Sequence, residues 1–173
     1  TPFTLQHAIV ALFCICFGFA LIVITKKQTN KVQSIIGNVF AFSICFTVLL
    51  GTFVHLYKGN FNIQEDLPLH LCSFLALIIP VLSVTKKFVY YEIFFFLILA
   101  GTLQSLITPD EHNYLNFPFF RYWFVHAGLV VFMFFATFIY KMRPTLRSVG
   151  KSFLGMQAYM LFMFILNYFL GSN

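Results

Sequence analysis

Charge is what this sequence has least of: Asp and Glu number five in 173 residues, and Asp, Glu, Lys and Arg together make up only 9%. A water-soluble domain of this length needs a far more charged surface to stay dispersed, so that class is excluded. Cysteine is also sparse, with four residues. Cys14 and Cys16 are too close along one helix to bond each other, so a disulfide framework is not expected. No internal repeat and no low-complexity linker breaks the chain, and one domain over 1–173 is the economical reading. No tight metal motif such as His-Glu-x-x-His occurs either, which leaves little sequence support for a zinc hydrolase.

Apolar residues fill the space that charge leaves, at 60% of the chain, with a mean hydropathy of +0.88. Spanning a hydrocarbon core of about 30 Å takes roughly 20 apolar residues in a helix. Six runs qualify: Leu5–Thr25, Ser34–Tyr57, Pro68–Thr85, Phe88–Thr108, Phe119–Tyr140 and Ser152–Leu170. In lipid only a helix satisfies its own backbone, so the expected fold is an all-α polytopic transmembrane bundle of six spanning helices. The third run is the shortest, and Pro80 is placed to kink it. The first run is too long for a signal-peptide core. Because the chain opens on Thr1, a short leader or trimmed end is expected to be missing.

The loops orient the bundle. Lys26, Lys27, Lys31, Lys86, Lys87, Lys141, Arg143, Arg147 and Lys151 lie in odd-numbered loops and are nine of the eleven bases. Loops two and four carry Glu65, Asp66, Asp110 and Glu111, with only Lys58 and Arg121 nearby. The positive-inside rule puts the odd loops in the cytoplasm and both termini outside, in a cell-membrane protein. The net charge of +6 is then topological, and nucleic-acid binding is not expected.

On this topology every histidine falls in the outer half, where ionisable groups are tolerated only around a wet cavity or at the interface. His55 and His112 sit at helix ends and suit headgroups and water. His7, His70, Cys72 and His126 lie deeper, and a polar pocket facing the extracytoplasmic side accommodates them. Gly101, Gln104, Ser105 and Thr108 form a polar stripe on one face of helix four. Asn167 and Tyr168 reach the same side from helix six. Cys72 falls near the start of helix three, with Asp66 or Leu67 as the expected cap and Pro68 in the first turn. Unbonded N–H groups there favour a thiolate nucleophile. His70, two residues away, points to another face, so His126 is the better base for a Cys–His pair capable of acyl transfer through a thioester. Arg121 opens helix five, where the helix dipole disfavours a cation, and needs Asp110, Glu111 or a lipid phosphate as its partner. Glu92 is expected to reach Lys86 or headgroups, and Asn38, Gln157 and Tyr159 to join helix–helix hydrogen bonds.

The strings Leu67-Pro-Leu-His-Leu-Cys72, Gly101-Thr-Leu-Gln-Ser-Leu-Ile-Thr-Pro-Asp110 and Arg121-Tyr-Trp-Phe-Val-His126 resemble the YwaF-like family of bacterial integral membrane proteins. That family is similar to the animal transmembrane protein 164 acyltransferases, and the resemblance runs from about His7 to Tyr168. It implies a multi-helix membrane fold and, for the animal branch, acyl exchange on phospholipids through a nucleophilic cysteine, matched here by Cys72 with His126 as its partner. Chains of that family usually continue past the Asn-Tyr pair, so a further segment is expected beyond Asn173.

Three functions stay open on these residues. The first is an acyltransferase or acyl hydrolase acting on membrane lipid, with Cys72 as nucleophile and His126 as base. Arg121, Gln104, Asp110, His7 and Asn167 would contact substrate, and His70 and Gln104 would donate to the oxyanion; no cofactor is required. The second is a zinc-dependent membrane hydrolase using His7, His70 and His126, with Asp110. The third is a small-molecule binding or transport subunit, which the missing inverted repeat and interrupted helices disfavour.

Overall fold

The computed structural model describes residues 4–59, 61–64, 66–109 and 116–171, and these are helical with short connections. The six helices are α1 (Leu5–Lys26), α2 (Asn30–Tyr57), α3 (Leu71–Thr85), α4 (Phe88–Ile107), α5 (Phe117–Phe138) and α6 (Leu146–Leu170). Five are long and apolar enough to cross a bilayer; α3 is apolar but has 15 residues. At 1.5 Å per residue it measures about 22 Å, short of a core of about 30 Å.

The sequence expectation began α3 too early. Leu67–His70 form a turn, in which the Leu69 N–H reaches the Leu67 carbonyl at 2.7 Å, and His70 is the N-cap. Cys72 is therefore the second residue of the helix. Pro80 lies inside α3, and Lys86, in the left-handed conformation, ends it. Helix α6 starts at Leu146, six residues before the apolar run, because Thr145 and Ser148 form a capping box.

Successive helices run antiparallel, and their contacts give a consistent register. Helix α2 meets α5 through small and large residues seven apart. Gly37 lies under Tyr140 and Phe135, Phe40 meets Phe132, Gly128 receives Ile44, and Gly51 receives Arg121. Glycines here let helices approach where lipid supplies no hydrophobic drive. Helices α2 and α3 are tied by Ser83 Oγ donating to Asn38 Oδ1 at 2.7 Å, an inter-helix bond of the kind expected of Asn38. Helix α4 meets α5 at both ends, through Tyr91–Thr137 (2.8 Å) and Tyr122–Ser105 (2.6 Å).

The buried core is built from α2 to α5, around Ile44, Leu75, Ile79, Ile98, Leu129 and Phe132. Helices α1 and α6 are peripheral and present Leu12, Phe13, Phe19, Leu154, Leu161 and Phe164 outward. That apolar exterior is the surface of a multi-pass membrane protein.

The bundle thus has two polar ends. The basic end gathers the Lys- and Arg-bearing connections. The histidine end joins the start of α1 to the end of α4, the start of α5 to the end of α2, and the loop before α3 to the end of α6.

Candidate functional site

The histidine end holds two adjoining polar cavities between α2, α3 and α5. The larger, about 520 Å³, is lined by His55, Lys58, Ser73, Arg121, Tyr122 and His126 among others. The smaller, about 100 Å³, shares His55, Ser73 and Arg121 and adds Asp66 and His70. Helix α3 gives both cavities Ser73 rather than Cys72.

Cys72, half-buried, turns toward α4 instead, with its Sγ 3.8 Å from Thr102 Oγ1. The α4–α5 register then relates it to His126. Ser105 meets Tyr122, so one turn inward Thr102 stands at the height of His126. Through the α2 contacts, in which Cys45 lies 3.9 Å from the Leu77 carbonyl, the height of Cys72 falls nearer Tyr122. The two estimates differ by one helical turn, and the Tyr122 and His126 rings meet across that turn, tilted by 34° with centroids 4.3 Å apart. Thiol and imidazole therefore share a depth to within a turn, about 5 Å.

The His126 ring has a defined tautomer. Its Nδ1 lies 2.7 Å from the Tyr122 carbonyl, which only accepts, so Nδ1 carries the proton and a neutral ring holds its lone pair on Nε2. His7 is held similarly, with Nε2 donating to the Leu106 carbonyl at 2.8 Å and its ring beside Trp123. His70 is exposed at the α3 N-cap and makes no side-chain capping bond. Gln104 is exposed and bonds Thr108 in its own helix at 3.3 Å, whereas Thr102, absent from the sequence-level stripe, is the buried residue of that segment. Asn167 is half-buried near the end of α6, where its carbonyl accepts the Gly171 N–H. Asp110, Glu111 and His112 lie outside the described residues.

Arg121 sits against the bare backbone of Gly51; a Cβ there would lie 2.3 Å from its Nη1. Among the described residues no carboxylate forms a salt bridge with it. The acid in its cavity, Asp66, is committed to His55, whose Nδ1 lies 2.9 Å from Asp66 Oδ1, and to the Asn62 N–H at 2.8 Å. The Asn62 backbone bond foremost, with desolvation opposing and His55 and Arg121 assisting, holds the Asp66 carboxyl below its ordinary range. His55, expected only to meet headgroups and water, is thus a cavity residue.

Two apolar grooves flank α1. One of about 550 Å³ lies toward α4 and α5, running from His7 and Leu106 to Ile22 and Phe138. The other, about 390 Å³, lies toward α2 and α5. Among the described residues no three His, Cys, Asp or Glu side chains are placed to hold a metal together, so His7, His70 and His126 do not assemble a zinc site.

At the basic end Glu92 corrects its expected partner. It is 3% exposed and pairs with Lys151 of α6, accepts from Ser148 at 3.1 Å, and its carbonyl accepts from Ser152 at 2.8 Å. Lys86 instead contacts Ser34 and the Tyr140 ring. Tyr159 of α6 donates to the Leu69 carbonyl at 2.7 Å, in the turn before α3 rather than in a partner helix, and Gln157 is exposed.

No curated protein and no solved structure matches the chain. A family model does match, over residues 2–173, and with it the membrane bundle acquires its relatives: the chain belongs to the TMEM164 family.

Proposed function

We propose that this chain is a membrane-embedded enzyme that transfers or hydrolyses lipid acyl groups, with Cys72 as nucleophile and His126 as general base. The reading carries with it six membrane-embedded helices, both termini outside, and the histidine end open to the extracytoplasmic side of the cell membrane. Its main support is the common depth of Cys72 and His126, together with an imidazole whose lone pair falls on Nε2.

In the first half-reaction His126 Nε2 takes the thiol proton and the thiolate attacks the ester carbonyl of a phospholipid. The oxyanion of the tetrahedral intermediate collapses, the bond to the glycerol oxygen breaks, and that oxygen takes the proton from His126. A lysophospholipid leaves and Cys72 holds the acyl group as a thioester. A second hydroxyl, from a lysophospholipid or from water, attacks the thioester by the reverse sequence. His70 at the N-cap and the N–H groups of the first turn of α3 would stabilise the oxyanion; Gln104 would have to turn in from the helix surface. His7 and Asn167 would contact the lipid at the same end, and the grooves beside α1 would seat its hydrocarbon chains. The requirement is for lipid alone, with no cofactor.

The direct test is mass spectrometry of Cys72 after purified protein is incubated with membrane lipids. An acyl mass on Cys72, labile to hydroxylamine and absent from Cys72→Ser, is the expected result. Acyl exchange that proceeds undiminished in Cys72→Ser would end the thioester mechanism.

A further inference from the structure

We infer that the paired cavities at the histidine end form a binding site for a phosphate oxyanion, assigned to Arg121, His55, Lys58 and Ser73 and cradled by Gly51. This deepens the lipid-acyl reading by naming what holds the headgroup, yet its test does not depend on Cys72. Three observations carry it.

The first is a cavity whose guanidinium has no salt bridge among the described residues. Arg121, Lys58, His55 and His126 all line the larger cavity, and Asp66, which borders the smaller one, is taken up by His55 and the Asn62 N–H. A half-buried guanidinium lacking a salt bridge among the described residues is an anion site in waiting, because desolvating it without a partner is costly.

The second is the cradle. Gly51 accepts the guanidinium against its backbone, with a would-be Cβ 2.3 Å from Nη1 and 2.7 Å from Cδ. The absent side chain fixes where Arg121 lies, and a planar fork so placed suits two oxygens of one phosphate.

The third is the complement of donors. Ser73, in the first turn of α3, lines both cavities, and Asp66 holds Nδ1 of His55, so the rest of that ring is oriented by a fixed partner. The smaller cavity, about 100 Å³, has the scale of a single small anion rather than of a hydrocarbon chain, and it opens beside the larger one.

A phosphate could arrive as a phospholipid headgroup or as the free ion, and the experiment separates them. Purified full-length chain carrying Cys72→Ala, which blocks turnover, is titrated with diheptanoyl phosphatidylglycerol, with dioctanoylglycerol, which lacks phosphate, and with inorganic phosphate. The phospholipid is expected to bind at least about tenfold more tightly than the diacylglycerol, a preference that Arg121→Gln removes and Arg121→Lys partly keeps. Gly51→Ala, which displaces the guanidinium without deleting it, is expected to weaken the phospholipid several-fold. Arg121-dependent binding of inorganic phosphate at comparable affinity would mark the free ion as the occupant; its absence would mark the headgroup. Equal affinity of the unaltered Arg121 protein for phospholipid and diacylglycerol, with no binding of inorganic phosphate, would overturn the proposal, and it would do so whatever the fate of the Cys72 thioester.

Discussion

The two polar ends of the bundle solve the same problem in opposite ways. At the basic end side chains from different helices bond one another, Glu92 with Lys151 and Ser148, Ser83 with Asn38, and Tyr91 with Thr137, while the buried Thr25 hydroxyl has no partner among the described residues. At the histidine end Arg121 is left without a carboxylate among the described residues, and side chains border cavities. Polar groups near lipid need partners, and at the histidine end the cavities leave room for one from outside the chain. On the proposed function, the contrast assigns stability to the basic end and chemistry to the histidine end. It can be broken at several points.

The largest effect belongs to Cys72. Cys72→Ala is expected to lower acyl exchange on the order of 10³-fold or more while leaving the thermal midpoint in detergent nearly unchanged, since the thiol contact with Thr102 is long and weak. Glu92→Gln reverses the pattern. Lys151 keeps an acceptor but loses the charge, and Tm is expected to fall by several degrees with KM for lipid unchanged. A Glu92→Gln protein that keeps its Tm but loses activity would dissolve the division of labour between the ends.

Two glycines on one helix give a finer test. Gly37 and Gly51 each receive the tip of a polar side chain, from Tyr140 just beyond α5 at the basic end and from Arg121 in its first turns at the histidine end. A Cβ at Gly37 would meet the Tyr140 hydroxyl at 2.1 Å and the ring of Phe135, which is fully buried, at 2.9 Å. Neither ring can retreat, so Gly37→Ala is expected to cost about 1–3 kcal/mol of stability. At Gly51 the obstructing atoms belong to a flexible arginine beside a cavity, and Gly51→Ala is expected to cost less than about 1 kcal/mol. Denaturation of both variants checks the ranking, and a reversed order would place the rigid end at the histidines.

What the sequence made legible follows from the same physics. Five long helices were readable because about 20 apolar residues in lipid have only one conformation open to them. The start of α3 was misplaced because Leu67–His70 is as apolar as a helical turn, although its backbone closes a short turn of its own. Glu92 was assigned the nearer Lys86 because Lys151, 59 residues on, becomes its neighbour only through α4–α6 packing. Thr102 escaped notice since a threonine in an apolar helix carries little signal; its buried position emerges from the helix register. Gly51 had no signal until Arg121 was seen lying on it.

The smallest effect concerns Asp66, the acid that organises the edge of the anion site. Its carboxyl accepts from the Asn62 N–H and from His55, and its pKa lies below the ordinary aspartate range. A depressed folded-state value means that the unfolded chain binds the proton first as pH falls. The contribution of Asp66 is therefore complete above the unfolded pKa, near 4, and disappears as pH drops through the lower folded value. The Tm of the native protein should exceed that of Asp66→Asn by no more than a few degrees at pH 6, because the group lies in a loop where solvent screens it. That difference should close progressively as the pH falls below about 4. The Glu92 pair provides the internal contrast, since Glu92→Gln removes a partner within the bundle and not at its edge. A gap for Asp66→Asn that survives unchanged at pH 2 would mean that the loop is held by its backbone, and that His55 takes its orientation from something other than this carboxylate.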